Sequence, residues 1–166
     1  MALVIRPVQA GDLPAVADIY AHYVRTAVAT FEEIPPEPAY WEQRLADGKF
    51  PFLVAAADGE ILGYTFASAW KPRPAYRHTV EDSVYVAPSA LGQGLGTVLL
   101  GALLDACGRA EVRQVIAVIA DGSGEGRASV ALHSRFGFVP AGTLRSVGRK
   151  FGRWLDTSLM QRDLVP

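Results

Sequence analysis

The feature that most constrains this 166-residue chain is a glycine-rich turn between an apolar strand and an apolar helix. The turn carries glycines at alternate positions, Gly92, Gly94 and Gly96, and the helix continues toward Leu104. Because glycine has no Cβ, the backbone of this turn can approach a ligand closely. The unpaired N–H groups of the first helical turn then point at that ligand, with the positive end of the helix dipole behind them. The turn therefore predicts a binding site for the diphosphate of a phosphorylated cofactor.

Two nucleotide motifs differ from this turn. A P-loop requires Lys after its last glycine, where this chain has Thr97. A dinucleotide fingerprint requires a third glycine where this chain has Thr97 or Leu99, and Asp121 is its one candidate ribose ligand. Nucleotide hydrolysis and dinucleotide binding are therefore not favoured. A turn that only packs a helix closely against its strand remains an alternative.

Composition narrows the possible partners and location. Half of the residues are apolar, a fifth are charged and the net charge is −1, which predicts one domain spanning residues 1–166. The interspersed charges lack the basic field that attracts nucleic acid or anionic lipid, so neither partner is expected. The N-terminus is too soon interrupted for a secretory signal, which predicts a cytoplasmic protein. The single cysteine, Cys107, is expected to be a small buried apolar residue, and no metal is expected.

Hydrophobic periodicity predicts an α/β chain whose sheet has helices on both sides. The dipeptide Asp58-Gly59 predicts a tight hairpin, and Asp12 is expected to cap the first helix. Strands are predicted at residues 2–7, 52–57, 61–70, 76–86 and 115–120, with two or three more between 138 and 160. Helices are predicted at residues 13–27, 41–45 and 128–136, and from the glycine turn to about residue 110.

The strand before the glycine turn has an unusual polar face. Alternation places Thr79, Glu81, Ser83 and Tyr85 on one face, and Val80, Val84 and Val86 on the other. Glu81 then either faces water or borders a cleft near the turn. In a cleft, partial loss of solvent raises the pKa of the carboxyl group toward the range of a general base.

Two further sets of residues have both a structural and a functional interpretation. His133 is either a structural residue or a group that reaches the same cleft, where it could hydrogen-bond a cofactor sulfur or relay a proton. Lys71, Arg73, Tyr76 and Arg77 form either a solvated loop or a cradle for an anionic head group. Arginine suits the second role because it binds carboxylate or phosphinate at two points.

Several ordered blocks resemble the acetyl-CoA-dependent N-acetyltransferase (GNAT) superfamily, and within it the phosphinothricin and methionine sulfoximine acetyltransferases. The resemblance spans nearly the whole chain, through residues 29–32, 70–76, 79–86, 94–96, 117–119, 129–133, 137–138 and 148–156. It implies a single-domain α/β fold of the α+β type, with a mixed and largely antiparallel sheet splayed open in the middle. It also implies a homodimer with the pocket near the subunit interface.

The resemblance also implies site residues. The backbone of Val84, Tyr85 and Val86 would bind the pantetheine arm of acetyl-CoA, with Ser129 and His133 also near the cofactor. The diphosphate would lie on Leu91, Gly92, Gln93, Gly94, Leu95, Gly96 and Thr97. Glu81 matches the general base and His133 an auxiliary catalytic histidine. The region that shapes the amino-acid pocket is matched by Phe31, Glu32, Lys71, Arg73 and Tyr76.

Two positions depart from the pattern of the superfamily. Leu91 stands where Arg or Gln is usual, which leaves the diphosphate to backbone amides with help from Gln93, and Gly126 stands where Asn is frequent. We expect direct acetyl transfer to the α-amine of a small anionic amino acid, with Glu81 as base. A backbone N–H near Tyr85 or Val86 would stabilise the oxyanion, and His133 or solvent would protonate the thiolate. The alternatives are a non-catalytic CoA-binding sensor or structural dimer, and a peptide or lysine N-acetyltransferase.

Overall fold

A computed structural model describes residues 2–165 as a seven-stranded mixed sheet in the order β1-β2-β3-β4-β5-β7-β6. The elements in chain order are β1 Val4–Pro7, α1 Leu13–Thr26, α2 Pro38–Asp47, β2 Phe52–Ala57, β3 Glu60–Ala69, β4 Thr79–Val86, α3 Leu95–Arg109, β5 Gln114–Ala120, α4 Arg127–Arg135, β6 Val139–Lys150 and β7 Arg153–Asp163. The β4–β5 pair is parallel and the other neighbouring strands are antiparallel. The predicted mixed, largely antiparallel sheet is confirmed.

Helices cover both faces of the sheet, as predicted. On one face, Tyr64 and Phe66 of β3 pack in the same cluster as Trp41 of α2. On the opposite face, a Cβ built on Gly63 would lie 3.0 Å from the Leu99 side chain of α3. Within residues 2–165, none of the helices combines the length and apolarity needed to cross a membrane.

An aromatic cluster fixes α1 and α2 against β3. The Trp41 ring is 1% exposed and makes edge contacts with Tyr20, Tyr40 and Tyr64 at centroid distances of 5.4, 5.0 and 5.7 Å. Edge-to-face pairs of this kind contribute about 0.5–1.5 kcal/mol each beyond their buried area. The cluster therefore holds α1 and α2 against β3.

The sheet opens between β4 and β5. These strands pair over three residues, ending at Glu81 opposite Ile116. Beyond that point β4 stays paired with β3 as far as Val86, and β5 stays paired with β7 as far as Ala120. The two strands therefore diverge after Glu81, which is the splayed sheet that the resemblance implies.

Three local predictions from the sequence are confirmed. Asp58 and Gly59 have φ angles of 50° and 83°, the left-handed conformation of a tight hairpin turn. Helix α3 follows the glycine turn and ends at Arg109, close to the predicted end. Cys107 is fully buried on α3, as expected for a small apolar residue.

Other local predictions were wrong for identifiable reasons. The strand β4 begins at Thr79, because Pro74–Tyr76 forms a 3-10 turn instead of extended backbone. Helix α2 begins at Pro38, since proline is tolerated where the helix needs no N–H donor. The Asp12 side chain does not cap α1. It accepts a hydrogen bond from the Gln9 N–H and forms an ion pair with Arg6.

Candidate active site

A cavity of about 650 Å³ occupies the gap between the diverging ends of β4 and β5. Its walls come from Glu81–Val86 of β4, residues 117–120 of β5, residues 27–31 after α1, and part of α4. Tyr40 and Arg44 of α2 and Phe66 and Ser68 of β3 complete one end. The cavity is thus built where the sheet loses its own backbone pairing.

The backbone of β4 presents alternate residues to this gap. The Ala87 N–H donates to the Leu62 C=O at 2.8 Å, and the Trp70 N–H donates to the Thr79 C=O at 3.3 Å. These bonds mark the odd-numbered residues of β4 as partners of β3, so the backbone groups of even-numbered residues face β5. Past Glu81, β5 no longer pairs with them.

Val84 and Val86 therefore direct their backbone groups into the gap. The Val86 carbonyl accepts a hydrogen bond from the Tyr23 hydroxyl at 2.5 Å. The backbone N–H of Tyr85 faces β3 instead. Of the two backbone donors considered for the oxyanion, only the Val86 N–H lies on the side of the cavity. The Tyr85 ring still lines the cavity, stacked on Tyr64.

The glycine turn lies at the N-terminus of α3. Gly92 and Gly94 have φ angles of +76° and +78°, which residues with a side chain rarely adopt, and Gly94 is the N-cap residue. In the first turn of α3 the Thr97 N–H donates to the Gly94 carbonyl at 3.1 Å, whereas the N–H groups of Leu95 and Gly96 precede any possible helical partner, so the turn fits an anionic group bound by backbone amides. Leu91 and Gly96 also line the cavity, which places the turn at its edge.

A guanidinium group lies beside this turn although residue 91 is leucine. Arg135, the last residue of α4, donates a hydrogen bond to the Thr97 hydroxyl at 3.2 Å. The Leu91 side chain is 59% exposed. The positive charge that residue 91 does not provide is therefore present on a neighbouring helix. Gln93 is exposed and does not line the cavity.

Glu81 lies at the point where β4 and β5 separate. Its side chain is half-buried, lines the cavity and shares a face with Ser83 and Tyr85. Burial, reinforced by the negative charge of Asp82, raises the pKa of Glu81, whereas the positive charge of Lys71 opposes this shift. A carboxylate with a raised pKa beside a cavity is suited to accept a proton.

His133 lies on the opposite face of β4 from Glu81. Its Nε2 is 2.8 Å from Oδ2 of Asp82, and its Nδ1 is 2.7 Å from the Ser129 carbonyl oxygen. Asp82 and His133 are both buried, at 7% and 4% exposure. Burial lowers the pKa of His133, but hydrogen bonding and charge from Asp82, with the Ser129 carbonyl, outweigh it and raise that pKa overall.

Both ring nitrogens of His133 are therefore engaged with protein acceptors. The Ser129 carbonyl can only accept, so Nδ1 carries a proton, and Nε2 shares a proton with the Asp82 carboxylate. This arrangement leaves no ring nitrogen for the cofactor sulfur that the sequence suggested as a partner. His133 contacts the cavity wall, and its polar atoms tie α4 to β4.

Residues 27–31 form a wall of the cavity that contacts from distant parts of the chain hold in place. Lys150 at the end of β6 donates from Nζ to the carbonyl oxygens of Ala27 and Thr30, both at 2.7 Å. A Cβ at Gly148 would lie 2.2 Å from the Phe31 ring, so the ring packs directly on that backbone. Burial lowers the pKa of Lys150, although nearby carboxylates oppose this shift.

The residues predicted to shape the amino-acid pocket separate into two groups. Phe31 and Glu81 line the cavity. Glu32, Lys71, Arg73 and Tyr76 are exposed and do not line it. The positive charge of Lys71 nevertheless acts on Glu81, where it opposes the rise in the pKa of that carboxyl group.

The loop between β5 and α4 explains one departure from the superfamily pattern. A Cβ at Gly126 would lie 2.2 Å from the Ala120 carbonyl oxygen, so this backbone excludes asparagine. The Asp121 carboxylate accepts a hydrogen bond from the Glu125 N–H at 3.0 Å and shapes the loop. Ser129 lines the cavity one turn before His133.

Three site residues were not identified from the sequence. Asp82 occurs among valines on the face predicted to be apolar, and a carboxylate there needs a buried partner, which is the signal that could have revealed it. Lys150 lies 120 residues from Thr30 in the chain, and no local sequence pattern predicts the contact between them. Arg44 lies on the short helix α2, where an arginine is typical of a solvent-exposed helix face.

Comparison with known proteins places this architecture among acetyltransferases. The profile of the acetyltransferase (GNAT) family matches residues 16–138. The phosphinothricin N-acetyltransferase of Alcaligenes faecalis is 51% identical over 98% of this chain and 83% of its own length. The L-methionine sulfoximine/L-methionine sulfone acetyltransferase of Pseudomonas paraeruginosa is 39% identical, over 100% of this chain and 97% of its own length.

A solved structure extends the comparison to the fold. The phosphinothricin acetyltransferase of Sinorhizobium meliloti, crystallised in complex with AcCoA, superposes with a TM-score of 0.91 and 42% identity. The superposition covers 98% of this chain and 89% of that chain.

Replacing His133→Ala tests the buried pair. Removing one partner leaves the Asp82 charge buried and unpaired, so we expect the free energy of unfolding to fall by about 3–5 kcal/mol in urea denaturation at pH 6. Because the pKa of His133 is raised, the pair is fully formed below the ordinary histidine value of 6.5 and is lost as the pH rises through the raised pKa. The difference between the two proteins therefore decreases with increasing pH.

His22→Ala, which removes an exposed histidine of α1, serves as the matched control and is expected to have little effect. A His133→Ala protein as stable as the unmodified chain at pH 6 would contradict the pairing.

Proposed function

The chain belongs to the acetyltransferase (GNAT) family, and we propose that it acetylates the α-amine of a small anionic amino acid with Glu81 as general base. Acetyl-CoA is the acetyl donor. The observation that carries the proposal is the position of Glu81, a carboxylate of raised pKa at the point where β4 leaves β5. This point is the inner end of the cavity that extends to the glycine turn.

The residues around the gap fit an acyl-CoA. The unpaired backbone groups of Val84 and the N–H of Val86 match the amides of a pantetheine arm, which would extend β4 as an added strand does. The turn from Leu91 to Thr97 would hold the diphosphate through the first-turn amides of α3. Arg135 adds a positive charge next to that turn.

The proposed reaction is a direct transfer. Glu81 accepts a proton from the substrate ammonium, directly or through one water, and the free amine attacks the thioester carbonyl carbon. The Val86 N–H stabilises the negative charge that develops on the carbonyl oxygen. The new C–N bond forms as the C–S bond breaks, the nitrogen releases its second proton to solvent, and solvent protonates the thiolate, because His133 is engaged with Asp82 and Ser129. No covalent bond to the protein is required.

The substrate class follows from the relatives and from the shape of the cavity. Relatives over nearly the whole chain are named for phosphinothricin and for methionine sulfoximine and sulfone, which are amino acids with a tetrahedral polar group in the side chain. Residues 27–31 approach β4, where the Tyr85 hydroxyl donates to the Ala29 carbonyl at 3.4 Å. Closure at this end favours a small amino acid over a peptide, which needs an open groove.

The outer edge of the sheet supports a homodimer. Strand β6 is an edge strand of 12 residues, and exposed apolar side chains occur on it, in the turn after it and at the start of β7. This β6–β7 surface comprises Leu144, Val147, Phe151 and Trp154, which are 49%, 53%, 56% and 67% exposed. An unpaired edge strand with apolar side chains is readily covered by a second copy. Phe31 packs on Gly148 of β6, which places the cavity wall close to that interface.

Replacing Glu81→Gln tests the general base. The amide keeps the shape but cannot accept the proton, so kcat/KM is expected to fall by about 10²–10⁴-fold at pH 7 with methionine sulfone or phosphinothricin as acceptor. In the unmodified protein, kcat/KM rises with pH as Glu81 loses its proton. That limb has a pKa above the ordinary glutamate value of 4.5, and it disappears in the variant.

Glu60→Gln, on the exposed hairpin side, is the matched control and is expected to retain full activity. A loss of less than about threefold in Glu81→Gln, or an unchanged acid limb, would remove Glu81 from the mechanism. If the unmodified protein binds CoA but releases no thiol with any amino acid, the result would favour a non-catalytic CoA-binding protein.

Replacing Trp154→Glu tests the dimer. A charge in the middle of the β6–β7 surface is expected to convert a dimer to a monomer in sedimentation equilibrium and to raise the KM for the amine. Val4→Glu, on the edge strand at the other end of the sheet, is the control and is expected to leave the dimer intact. A monomeric unmodified protein, or dissociation caused by Val4→Glu instead, would contradict the proposed interface.

A further inference from the structure

Lys150 is a buried lysine that takes no part in the proposed transfer. It is the last residue of β6, its exposed fraction is 3%, and none of the ion pairs found within residues 2–165 includes it. A buried ammonium is costly unless protein atoms accept its hydrogen bonds, and here the acceptors are the backbone carbonyls of Ala27 and Thr30. We propose that Lys150 is a positioning residue, which holds residues 27–31 in place as a wall of the cavity and so keeps water from the thioester. This inference rests on the proposed function.

The wall formed by residues 27–31 depends on side chains from other elements for its shape. Between α1 and α2, residues 27–37 form neither helix nor strand, so no regular pairing satisfies their carbonyl groups. The Lys150 ammonium bonds two of these carbonyls, three residues apart in the chain and both at 2.7 Å, and thereby draws them toward one point. The Ala29 carbonyl between them accepts from the Tyr85 hydroxyl at the longer distance of 3.4 Å. Lys150 is therefore the stronger tie on this backbone.

The bend between these two carbonyls also sets the directions of the neighbouring side chains. Val28 is 1% exposed and packs with Ala120 of β5 and Leu155 of β7. Phe31 packs on Gly148 of β6 and lines the cavity. Without the ammonium, two carbonyl groups would lose their donor, and a buried carbonyl without a donor is costly. The wall is then expected to open toward solvent, where water can meet these groups.

A second cation of the same hairpin contacts the wall only indirectly. Arg153, the first residue of β7, forms an ion pair with Glu125 at 2.8 Å, and Glu125 in turn accepts from the Val28 N–H at 3.3 Å. The side chains of Arg153 and Glu125 are 49% and 52% exposed. Exposed ion pairs of this kind stabilise little, because water screens the charges. Arg153 is therefore a matched control for Lys150.

The position of the wall matters because the thioester has two possible nucleophiles. When the amine attacks, each CoA thiol released corresponds to one N-acetyl amino acid. When water attacks the same carbonyl carbon, the C–S bond breaks, the products are acetate and CoA thiol, and one proton goes to solvent. A closed cavity suppresses this hydrolysis by excluding water. The ratio of thiol released to N-acetyl product therefore reports how well the wall is closed.

Replacing Lys150→Met tests this role, because methionine keeps an unbranched apolar side chain and has no donor. We expect kcat/KM for methionine sulfone to fall by about 10- to 100-fold, since a displaced wall misplaces the reacting groups. The ratio of thiol to N-acetylmethionine sulfone, which is expected to be one in the unmodified protein, is expected to rise above one. In the free protein, amide exchange is expected to accelerate at Val28 and Glu32, whose N–H groups are hydrogen-bonded, while β5 remains protected.

Three further variants complete the design. Lys150→Arg keeps the charge and several donors, so its ratio of thiol to product is expected to stay closer to one than that of Lys150→Met. Lys150→Gln keeps a neutral donor and replaces Lys150→Met if that variant does not fold; its ratio is also expected to exceed one. Arg153→Gln removes the exposed cation and is expected to behave as the unmodified protein.

A ratio that stays at one in Lys150→Met and Lys150→Gln would overturn the inference, because any loss of activity would then show only that Lys150 supports folding. Equal effects of Lys150→Met and Arg153→Gln would also overturn it. In either case the unmodified protein still acetylates methionine sulfone, so the proposed function stands. If the unmodified protein acetylates no amino acid, the proposed function itself fails and the inference fails with it.

Discussion

The separation of β4 from β5 after Glu81 is the constraint on which the rest of this structure depends. Parallel neighbours normally satisfy each other's backbone groups along their whole length, but here the pairing ends at Ile116. Each strand keeps its antiparallel partner on the other side, so the sheet remains one sheet while a gap forms inside it. Unpaired backbone groups in an interior gap are costly to leave unsatisfied. They are stable beside a cavity where water, or a ligand with amides of its own, can meet them.

The two faces of β4 contact different helices and have different roles. The odd-numbered side chains face α1 and α2, where the aromatic cluster and residues 27–31 enclose Glu81. The even-numbered side chains face α3 and α4, where Asp82 holds His133 and ties α4 to the strand. The raised pKa of Glu81 has two sources, burial in the first environment and the negative charge of Asp82 from the second. The proposed base is therefore tuned by a residue whose side chain lies on the other side of the sheet.

The sequence predicts what local chemistry determines and fails where distant segments meet. Gly92 and Gly94 predict the turn because glycine readily adopts the positive φ angles that it requires. Asp58-Gly59 predicts a hairpin because both residues tolerate positive φ angles. Alternation places Glu81 on the correct face of β4. Alternation also places Asp82 on the same face as the valines. It does not reveal that His133, 51 residues away, is the partner that makes burial of this carboxylate tolerable. Among the described residues, the arginine that lines the cavity is Arg44, whereas the sequence indicated Lys71 and Arg73, because clustering of charge along the chain does not reveal which side chains the fold turns inward.

Amide hydrogen exchange on the CoA-bound and free protein tests the central claim, that the even-numbered backbone groups of β4 face a gap that a CoA thioester fills. The account predicts that the N–H groups of Val84 and Val86 exchange faster in the free protein and become protected when CoA binds. The N–H of Tyr85, directed at β3, is expected to be protected in both states. Protection of Val84 and Val86 that is already complete without CoA, or that CoA leaves unchanged, would contradict the account.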